Sequence, residues 1–310
     1  MHVLAIGNNT IDHVFMTPHG ATPGSKTIAT SLRCYAGGQA ANVAADLAGL
    51  GLFVHYLGAY GDDQAGTISK RSLARLGVRL DGCRSVRGCP SHQATVVVDA
   101  ASGGRTIVMY KDVRLTLDHS AVDPAWLEGI GLVYLDGHEP GASLAAARLA
   151  KERGIPALAD AECVHEGLRE LLPYLSSLIA PMDVIAEVAG DADPRAAVLK
   201  VHEKGPNTVI ATAGASGAVG ANRDAGLLHV PALECPVVDT TGAGDAFHAG
   251  YIAGIFAGLP FGDAMQFATH VAAAKCGEPG PRVRLSRLRN LRQVLLGGLE
   301  WRNPIRGQGI

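Results

Sequence analysis

One stretch of the chain places residues suited to phosphate chemistry at the start of a helix. Residues 239–245 read Asp-Thr-Thr-Gly-Ala-Gly-Asp, and a helical pattern begins at Ala243 or Gly244. A helix N-terminus presents unpaired N–H groups and a partial positive charge, so it binds anions. Gly242 and Gly244 carry no side chain that would keep a phosphate from this backbone. Asp245 is a candidate general base beside that anion, as phosphoryl transfer requires, with helix capping as the alternative.

A second glycine-rich run opens the first helical pattern. Residues 37–42 read Gly-Gly-Gln-Ala-Ala-Asn. This run resembles the N-terminal signature of the ribokinase-like (PfkB) carbohydrate kinase family, and the run at 239–245 resembles its C-terminal signature. In the family's order, the chain also carries Asp12, Gly61-Asp62-Asp63, a hairpin at 91–110 and a turn at 212–217. The resemblance therefore covers nearly the whole chain.

The resemblance implies an ATP-dependent kinase that phosphorylates a hydroxyl of a sugar or sugar-like molecule. Asp245 is implied to be the base that takes the proton of the acceptor hydroxyl. The hole for the migrating phosphoryl group is implied to form from the Gly242 loop and the N–H groups of Ala243, Gly244 and Asp245. The acceptor sugar is implied to contact Asp12, Gly38 and Asn42. The nucleotide side is implied to be lined by Thr212, Gly214, Gly217 and Thr269.

The same resemblance makes ATP and Mg²⁺ the expected cofactors. It also bears on a second cation, because Asp239 and Thr241 match positions whose loop often holds a monovalent cation. Activation by K⁺ is therefore an open expectation for this chain.

The chain departs from the family pattern where magnesium is handled. Many members carry an Asn-x-x-Glu motif that orders water around the ion, but Met182 and Ile185 stand at those two positions here. Asp183 or Glu187 could compensate, because Mg²⁺ keeps several waters and needs few protein carboxylates. The alternative is that both are ordinary exposed helix residues.

Several basic or imidazole side chains are candidate substrate contacts, each with a plainer alternative. Lys26 lies in a run at 20–27 that looks like a phosphate-binding loop but has the wrong spacing and no preceding strand. It could reach an anionic group of the substrate or be solvated, and Lys111 and Arg114 carry the same ambiguity. His138 follows a predicted strand, where an α/β sheet binds ligands, or is an exposed loop residue.

Two further groups of residues are expected to be structural. His248 lies one turn beyond Asp245 and is expected to pack its helix. A local basic run is expected to be a solvated helix face rather than a nucleic-acid patch; it comprises Arg282, Arg284, Arg287, Arg289 and Arg292.

The elements that must position these residues follow from the hydrophobic pattern. Short apolar runs alternate with amphipathic stretches, which is typical of parallel βαβ units. Strands are predicted at residues 3–7, 53–58, 132–136, 157–160, 177–181 and 208–212, and another β run is predicted to end at 237–238. Helices are predicted at residues 39–50, 67–76, 243–257, 261–275 and 285–296.

Two regions break this alternation. Residues 13–36 are polar and rich in turns, and residues 91–110 alternate like a hairpin. They are expected to form a small β-sheet lid over a ligand site, with a β-meander at the edge of the main sheet as the alternative. The expected fold is a single ribokinase-like domain over residues 1–310, a three-layer α/β/α sandwich with a mainly parallel sheet. The family resemblance makes a homodimer the expected assembly.

Composition narrows the function classes. The 310 residues carry 27 Lys+Arg and 29 Asp+Glu, so a net charge of −2 offers no footprint for nucleic acid or an anionic membrane. No signal peptide or membrane span is predicted. The six cysteines show no paired spacing and are expected to be free thiols, as in a cytoplasmic protein.

Two other classes of function compete with a kinase. A binding or sensing protein on the same fold is suggested by Met182 and Ile185, and it would bind sugar or nucleotide without turnover. A nucleotide-dependent oxidoreductase would need a GxGxxG turn after the first strand, where residues 7–12 read Gly-Asn-Asn-Thr-Ile-Asp. Within the kinases, a nucleoside or an anionic phospho- or sulfo-sugar stays open as the acceptor.

Overall fold

The central sheet of the computed structural model, which describes residues 2–102 and 104–297, has eight strands. Its order is β14-β13-β12-β11-β10-β9-β1-β4, parallel throughout except for the two β13 pairings. The parallel strands are β1 (His2–Ile6), β4 (Phe53–Leu57), β9 (Ile130–Leu135), β10 (Ala157–Asp160), β11 (Ser177–Pro181) and β12 (Thr208–Thr212). The antiparallel edge is β13 (Ala218–Asn222) and β14 (Gly226–Val230). The six predicted strands are therefore confirmed to within two residues.

These strands form because both of their faces are apolar. In β9, Leu132 and Tyr134 pack into one buried cluster, while Val133 and Leu135 pack into the cluster on the opposite face. A strand that is buried on both faces reads as a continuous apolar run, which is the pattern of a parallel sheet covered by helices.

Helices cover the sheet on both faces and complete the predicted three layers. One face carries α1 (Gln39–Gly49), α7 (Ala243–Phe256), α8 (Phe261–Cys276) and α9 (Leu285–Gly297). The other carries α3 (Pro140–Glu152), α4 (Glu166–Leu171), α5 (Met182–Ala189) and α6 (Pro194–His202). A further helix, α2 (Gln64–Ala74), packs beside α1 and a second sheet.

That second sheet is separate from the central one. Its order is β3-β2-β7-β8, built from β2 (Thr10–Thr17), β3 (Ser31–Gly37), β7 (Gln93–Asp99) and β8 (Arg105–Tyr110). The two chain regions predicted to form a small sheet therefore pair with each other, rather than extending the edge of the central sheet. β5 (Ala59–Gly61) and β6 (Arg84–Val86) form a short parallel pair of their own. In the chain these two strands come after β4 and before β7.

Asp12 follows the first strand and lies within β2. One expectation about a strand needs correction. Val237 and Val238 do not end a strand; they are exposed in an irregular segment, where Val238 N–H donates to the Cys276 carbonyl at 2.7 Å. From its sequence we expect the stretch at 302–310 to be a frayed tail, and it lies outside the described residues.

The carboxyl end of β9 connects the sheet to α1, the helix that begins in the glycine-rich run at 37–42. Asp136 follows this strand and is buried, and its carboxylate accepts from the main-chain N–H of Asn8 at 2.6 Å and of Ala40 at 3.1 Å. It thereby joins the loop after β1 to the start of α1. Ligands of parallel α/β sheets bind at this edge.

Two sequence expectations about the environment of the chain can be compared with the structure. The six cysteines, all of them within the described residues, are free thiols as expected. Of the helices described, none is long and apolar enough to cross a membrane.

Two glycines of the antiparallel edge provide a matched test of this backbone. Gly217 and Gly226 both have left-handed φ, at +84° and +74°, but a Cβ at Gly217 would lie 2.1 Å from the Val230 carbonyl oxygen, and one at Gly226 meets nothing within 4 Å. Gly226→Ala is expected to cost about 1 kcal/mol through φ alone, and Gly217→Ala about 3 kcal/mol, since it adds a backbone clash. Urea unfolding measures both, and equal losses would contradict this packing of the edge.

Candidate active site

The two glycine-rich motifs meet through one hydrogen bond. Asn42, in α1, donates from Nδ2 to Oδ2 of Asp245, in the first turn of α7, at 2.8 Å. Both side chains are buried. Residues 203 positions apart in the chain thus share one site.

A partly buried arginine completes this contact. Arg282 donates from Nε to Oδ1 of Asn42 at 2.9 Å and from Nη1 to the Ser72 hydroxyl at 3.1 Å. The Asn42 amide therefore has a fixed orientation, with its oxygen toward the guanidinium and its nitrogen toward Asp245. Burial lowers the pKa of Arg282, and the neighbouring Asp46 carboxylate opposes that shift. The basic run predicted that Arg282 lies on a solvated helix face. In the structure its guanidinium bonds to Asn42 and Ser72 instead.

The environment of Asp245 favours its neutral form. Burial and the nearby Asp160 carboxylate raise the pKa of Asp245 to about 7, while the bond from Asn42 and the proximity of His248 act in the opposite direction. A carboxyl group with a pKa near neutrality is suited to accept a proton at physiological pH.

The start of α7 leaves main-chain donors beside this carboxylate. Within the described residues, the N–H groups of Gly244 and Asp245 bond to no acceptor, whereas Ala243 N–H donates to the Thr240 carbonyl at 3.1 Å. Two free donors are therefore available rather than the three that the resemblance implies, because a tight turn uses that of Ala243. A Cβ on Gly244 would meet nothing within 4 Å, so there is open space beside the backbone at this residue.

Gly242 has a different role from Gly244. Its φ is +76°, and a Cβ there would lie 2.0 Å from the Pro281 carbonyl oxygen. The loop before α7 is therefore pressed against the segment that follows α8, and only glycine fits.

Near Asp245 lies a group of polar side chains that the sequence motifs did not connect. The ring of His248 lies 2.7 Å from the Gly244 carbonyl through Nδ1 and 3.2 Å from the Ile179 carbonyl through Nε2. Asp160, at the end of β10, accepts from the Tyr134 hydroxyl at 3.2 Å, and its Oδ1 is 3.6 Å from His248. Burial raises the pKa of Asp160 well above its usual range.

Two of the predicted acceptor residues, Asp12 and Gly38, lie near the start of α1. Asp12 is close enough to Gly37 that a Cβ there would lie 2.2 Å from its carboxylate; burial raises the pKa of Asp12, and the Thr10 hydroxyl and Arg282 lower it. Gly38 is the N-cap of α1, where a Cβ would lie 2.4 Å from Asn9 Cα.

The basic side chains that were candidate substrate contacts lie in different surroundings. Lys111 Nζ donates to Nδ1 of His138 at 2.8 Å, and Nε2 of His138 is 3.7 Å from the Glu162 carboxylate. His138 and Glu162 line a cleft with Asp136. Lys26 is exposed in the loop between β2 and β3, and Arg114 pairs with Asp112 at 2.7 Å.

The predicted nucleotide residues lie near the antiparallel edge, with one exception. Thr212 ends β12, and the turn after it contains Gly214, with φ +54°, and Gly217. A Cβ on Gly214 would meet nothing within 4 Å, so its backbone is approachable. Thr269 is buried in α8, where its hydroxyl donates to the Met265 carbonyl at 3.1 Å.

The residues at the positions considered for cation binding differ in burial and in hydrogen bonding. Met182 packs against the core and Ile185 is fully buried, whereas Asp183 and Glu187 are exposed on α5. In the described parts of the chain, no group of three His, Cys, Asp or Glu could hold a metal ion by itself. Asp239 accepts from Thr241 N–H at 2.8 Å through Oδ1.

The structure also identifies residues that sequence reasoning missed or misassigned. They are Arg282, Asp136, Asp160 and Lys275, the last being buried and bonded to the Asp239 carbonyl at 2.9 Å. Asp136 and Asp160 had a usable signal, because both follow apolar strands at the edge where ligands bind.

Comparison with known proteins places this geometry in a family. A family model described as pfkB family carbohydrate kinase matches residues 2–287. An ATP-dependent ribose-1-phosphate kinase from Halopiger xanaduensis is 30% identical over 269 residues, which cover 81% of this chain and 84% of that protein.

Solved structures share the fold. Arabidopsis thaliana ribokinase, complexed with ribose and ATP, has a TM-score of 0.80 at 23% identity and covers 94% of this chain and 98% of its own. A protein described as a ribokinase II from Escherichia coli, in complex with ATP and Mg²⁺, has a TM-score of 0.82 at 21% identity, over 94% and 99%.

The family match contains both motifs and nearly all of the described chain. The ribose-1-phosphate kinase covers more than four fifths of this chain at an identity sufficient for common membership. The chain belongs to the pfkB family of carbohydrate kinases.

Proposed function

We propose that this kinase transfers the γ-phosphoryl group of ATP to a sugar hydroxyl, with Asp245 as the general base. The observation that carries the proposal is the buried Asp245 carboxylate beside the free N–H groups of Gly244 and Asp245. A proton acceptor and an anion site then serve the same reacting group. ATP as donor is supported by the relatives named for its use or bound to it.

The proposed reaction uses few protein groups. The Asp245 carboxylate takes the proton of the acceptor hydroxyl, and the acceptor oxygen forms a bond to the γ-phosphorus while the β–γ bridging P–O bond breaks. ADP leaves, and the proton on Asp245 later passes to solvent. The N–H groups at the start of α7 stabilise the charge on the transferring group. Asn42 keeps the carboxylate oriented, because Arg282 fixes its amide.

The second sheet is proposed to act as the lid. Arg105, the first residue of β8, donates to the Thr241 hydroxyl at 3.3 Å, so this sheet reaches the loop before α7. Asp12 on β2 would contact an acceptor held beneath it. Closure over the acceptor would exclude water and limit hydrolysis of ATP.

Magnesium would be held by few protein groups. Asp183 and Glu187 are exposed carboxylates on α5, and Pro181, just before that helix, pairs in register with Thr212 on the proposed nucleotide side. Mg²⁺ prefers oxygen ligands and keeps several waters, so these two carboxylates fit it through water. When bound, the ion would neutralise charge on the nucleotide phosphates.

An anionic sugar is a second candidate for the acceptor. Lys111 donates to His138, and His138 lines a cleft together with Asp136 and Glu162, so an ammonium group lies beside a cleft that contains carboxylates. A sugar phosphate would pair with that ammonium. The 30% identical relative named for ribose-1-phosphate supports the same class.

Asp245→Asn tests the base. The amide oxygen can still accept from Asn42, so nucleotide binding is expected to stay intact while turnover falls at least about 10²-fold. ADP release over a panel of sugars and sugar phosphates measures it, with the exposed Asp81→Asn as the matched control. Near-normal turnover of Asp245→Asn would refute the role, and ligand-induced melting shifts with no wild-type turnover would instead indicate a sensor.

The raised pKa of Asp245 predicts a pH profile. Since the base must be unprotonated, kcat/KM should rise about tenfold per pH unit below pH 7 and level off above it. A flat profile between about pH 5 and about pH 8 would contradict the assignment of Asp245 as the base.

The same shift has a consequence for stability. A carboxyl whose folded pKa exceeds its unfolded value of 3.8 stabilises the fold at low pH, and that contribution is lost as the pH rises through about 7. Asp245→Asn should therefore raise the melting temperature above pH 7. An unchanged or lower melting temperature there would argue against a strained buried charge.

Lys111→Met separates the two acceptor classes. If the acceptor is a sugar phosphate, this change should raise its KM about tenfold or more, because a charge-assisted bond is lost, with kcat less affected. Lys26→Met, in the exposed loop between β2 and β3, is the comparison. Equal KM values for Lys111→Met and wild type would remove the support for an anionic acceptor.

A further inference from the structure

Lys275 is a buried cation that the proposed reaction does not use. It lies at the end of α8 with no exposed surface, and no other lysine in the described parts of the chain is buried. Its Nζ donates to the main-chain oxygen of Asp239 at 2.9 Å and of Glu278 at 3.0 Å. The ammonium is therefore bound by carbonyl oxygens of two separate segments.

Burying this charge is costly unless the surroundings are negative. Two carbonyl dipoles point at the ammonium, and the carboxylates of Asp239, Glu278 and Asp46 lie near enough to favour its charged form. Desolvation lowers the pKa of Lys275, and these groups oppose that shift. The pocket thus has the carbonyl and carboxylate composition of a site for a monovalent cation.

The oxygens of Asp239 are already used in this arrangement. Oδ1 accepts from Thr241 N–H, Oδ2 accepts from Gly280 N–H at 2.9 Å, and the main-chain oxygen accepts from Lys275. A potassium ion seeking these oxygens would meet an ammonium of the same charge. The residues present do not fit an additional cation, in contrast to the expectation from the resemblance.

The position of the ammonium connects it to the catalytic helix. Asp239 lies three residues before Gly242, the N-cap of α7, and Gly242 abuts Pro281. Lys275 therefore binds together the same two segments that meet at Gly242. Loss of the ammonium would leave carbonyl oxygens facing each other without a cation, and the start of α7 would lose part of its support.

We propose that the Lys275 ammonium is a built-in monovalent cation that holds the loop before α7 in place, so that this kinase works without added K⁺. Lys275 is a positioning residue in this role, since it touches the loop and not the reacting groups. The part of the proposal that concerns turnover rests on the proposed kinase function. The part that concerns the loop does not.

Thermal melting tests the loop without any substrate. Wild type should melt at the same temperature in KCl and in choline chloride of equal ionic strength. Lys275→Ala should melt lower in choline, and KCl should restore part of the loss, because K⁺ can enter the space left by the side chain. Lys275→Met, which fills that space, should not be rescued. Lys151→Ala is the matched control, since Lys151 Nζ also donates to a carbonyl, that of Pro173 at 2.8 Å, but on an exposed surface.

ADP release tests the effect on turnover. Wild-type turnover should be equal in the two salts, and Lys275→Ala should lose about tenfold or more in choline and recover in KCl, as expected when a preorganised charge is removed and replaced. K⁺ activation of wild type, or a Lys275→Ala protein that melts and turns over like wild type in choline, would overturn the proposal. If wild type phosphorylates no acceptor, the kinase proposal fails, and the melting comparison still decides the role of Lys275. If Lys275→Ala does not fold in either salt, wild-type dependence on K⁺ alone decides.

Discussion

A carboxylate buried at the start of a helix is the constraint on which the rest of this structure depends. As the base of the proposed reaction, Asp245 would have to be shielded from water and oriented toward an acceptor, yet an isolated buried charge is strongly unfavourable. The helix N-terminus and the Asn42 amide offset that cost, and burial beside Asp160 leaves the pKa near neutrality. The buried carboxylate is therefore a position where the proposed reactivity costs stability.

The fold brings together, from distant parts of the chain, the groups that stabilise the buried Asp245 carboxylate. The central sheet delivers Asp136 and Asp160 to one edge, Asp136 fixes the start of α1, and α1 presents Asn42 to Asp245. Arg282 then closes the arrangement from the segment before α9. Contacts between distant segments, rather than local ones, therefore define the site.

Features that depend only on the spacing of residue types along the chain could be predicted from the sequence. The strands were predictable because apolar runs buried on both faces are continuous, and the place of Asp245 in the first turn of a helix was predictable because Gly242 and Gly244 precede it there. The partners of Asp245 were not. Arg282 looks like one member of an exposed basic run and Lys275 like an ordinary last-turn lysine, because burial is a property of the tertiary fold. The engaged Ala243 N–H likewise depends on a turn that no motif specifies.

The central claim is that burial raises the pKa of the Asp245 carboxyl to about 7, and that the hydrogen bond from Asn42 limits this rise. Carbon-13 NMR titration of the Asp245 carboxyl, assigned by comparison with Asp245→Asn, measures this directly in the wild-type enzyme and in Asn42→Ala. The account predicts a midpoint of about 7 in wild type and a higher midpoint in Asn42→Ala, since the hydrogen bond stabilises the charged form. A wild-type midpoint near the ordinary value of 3.8 would contradict it.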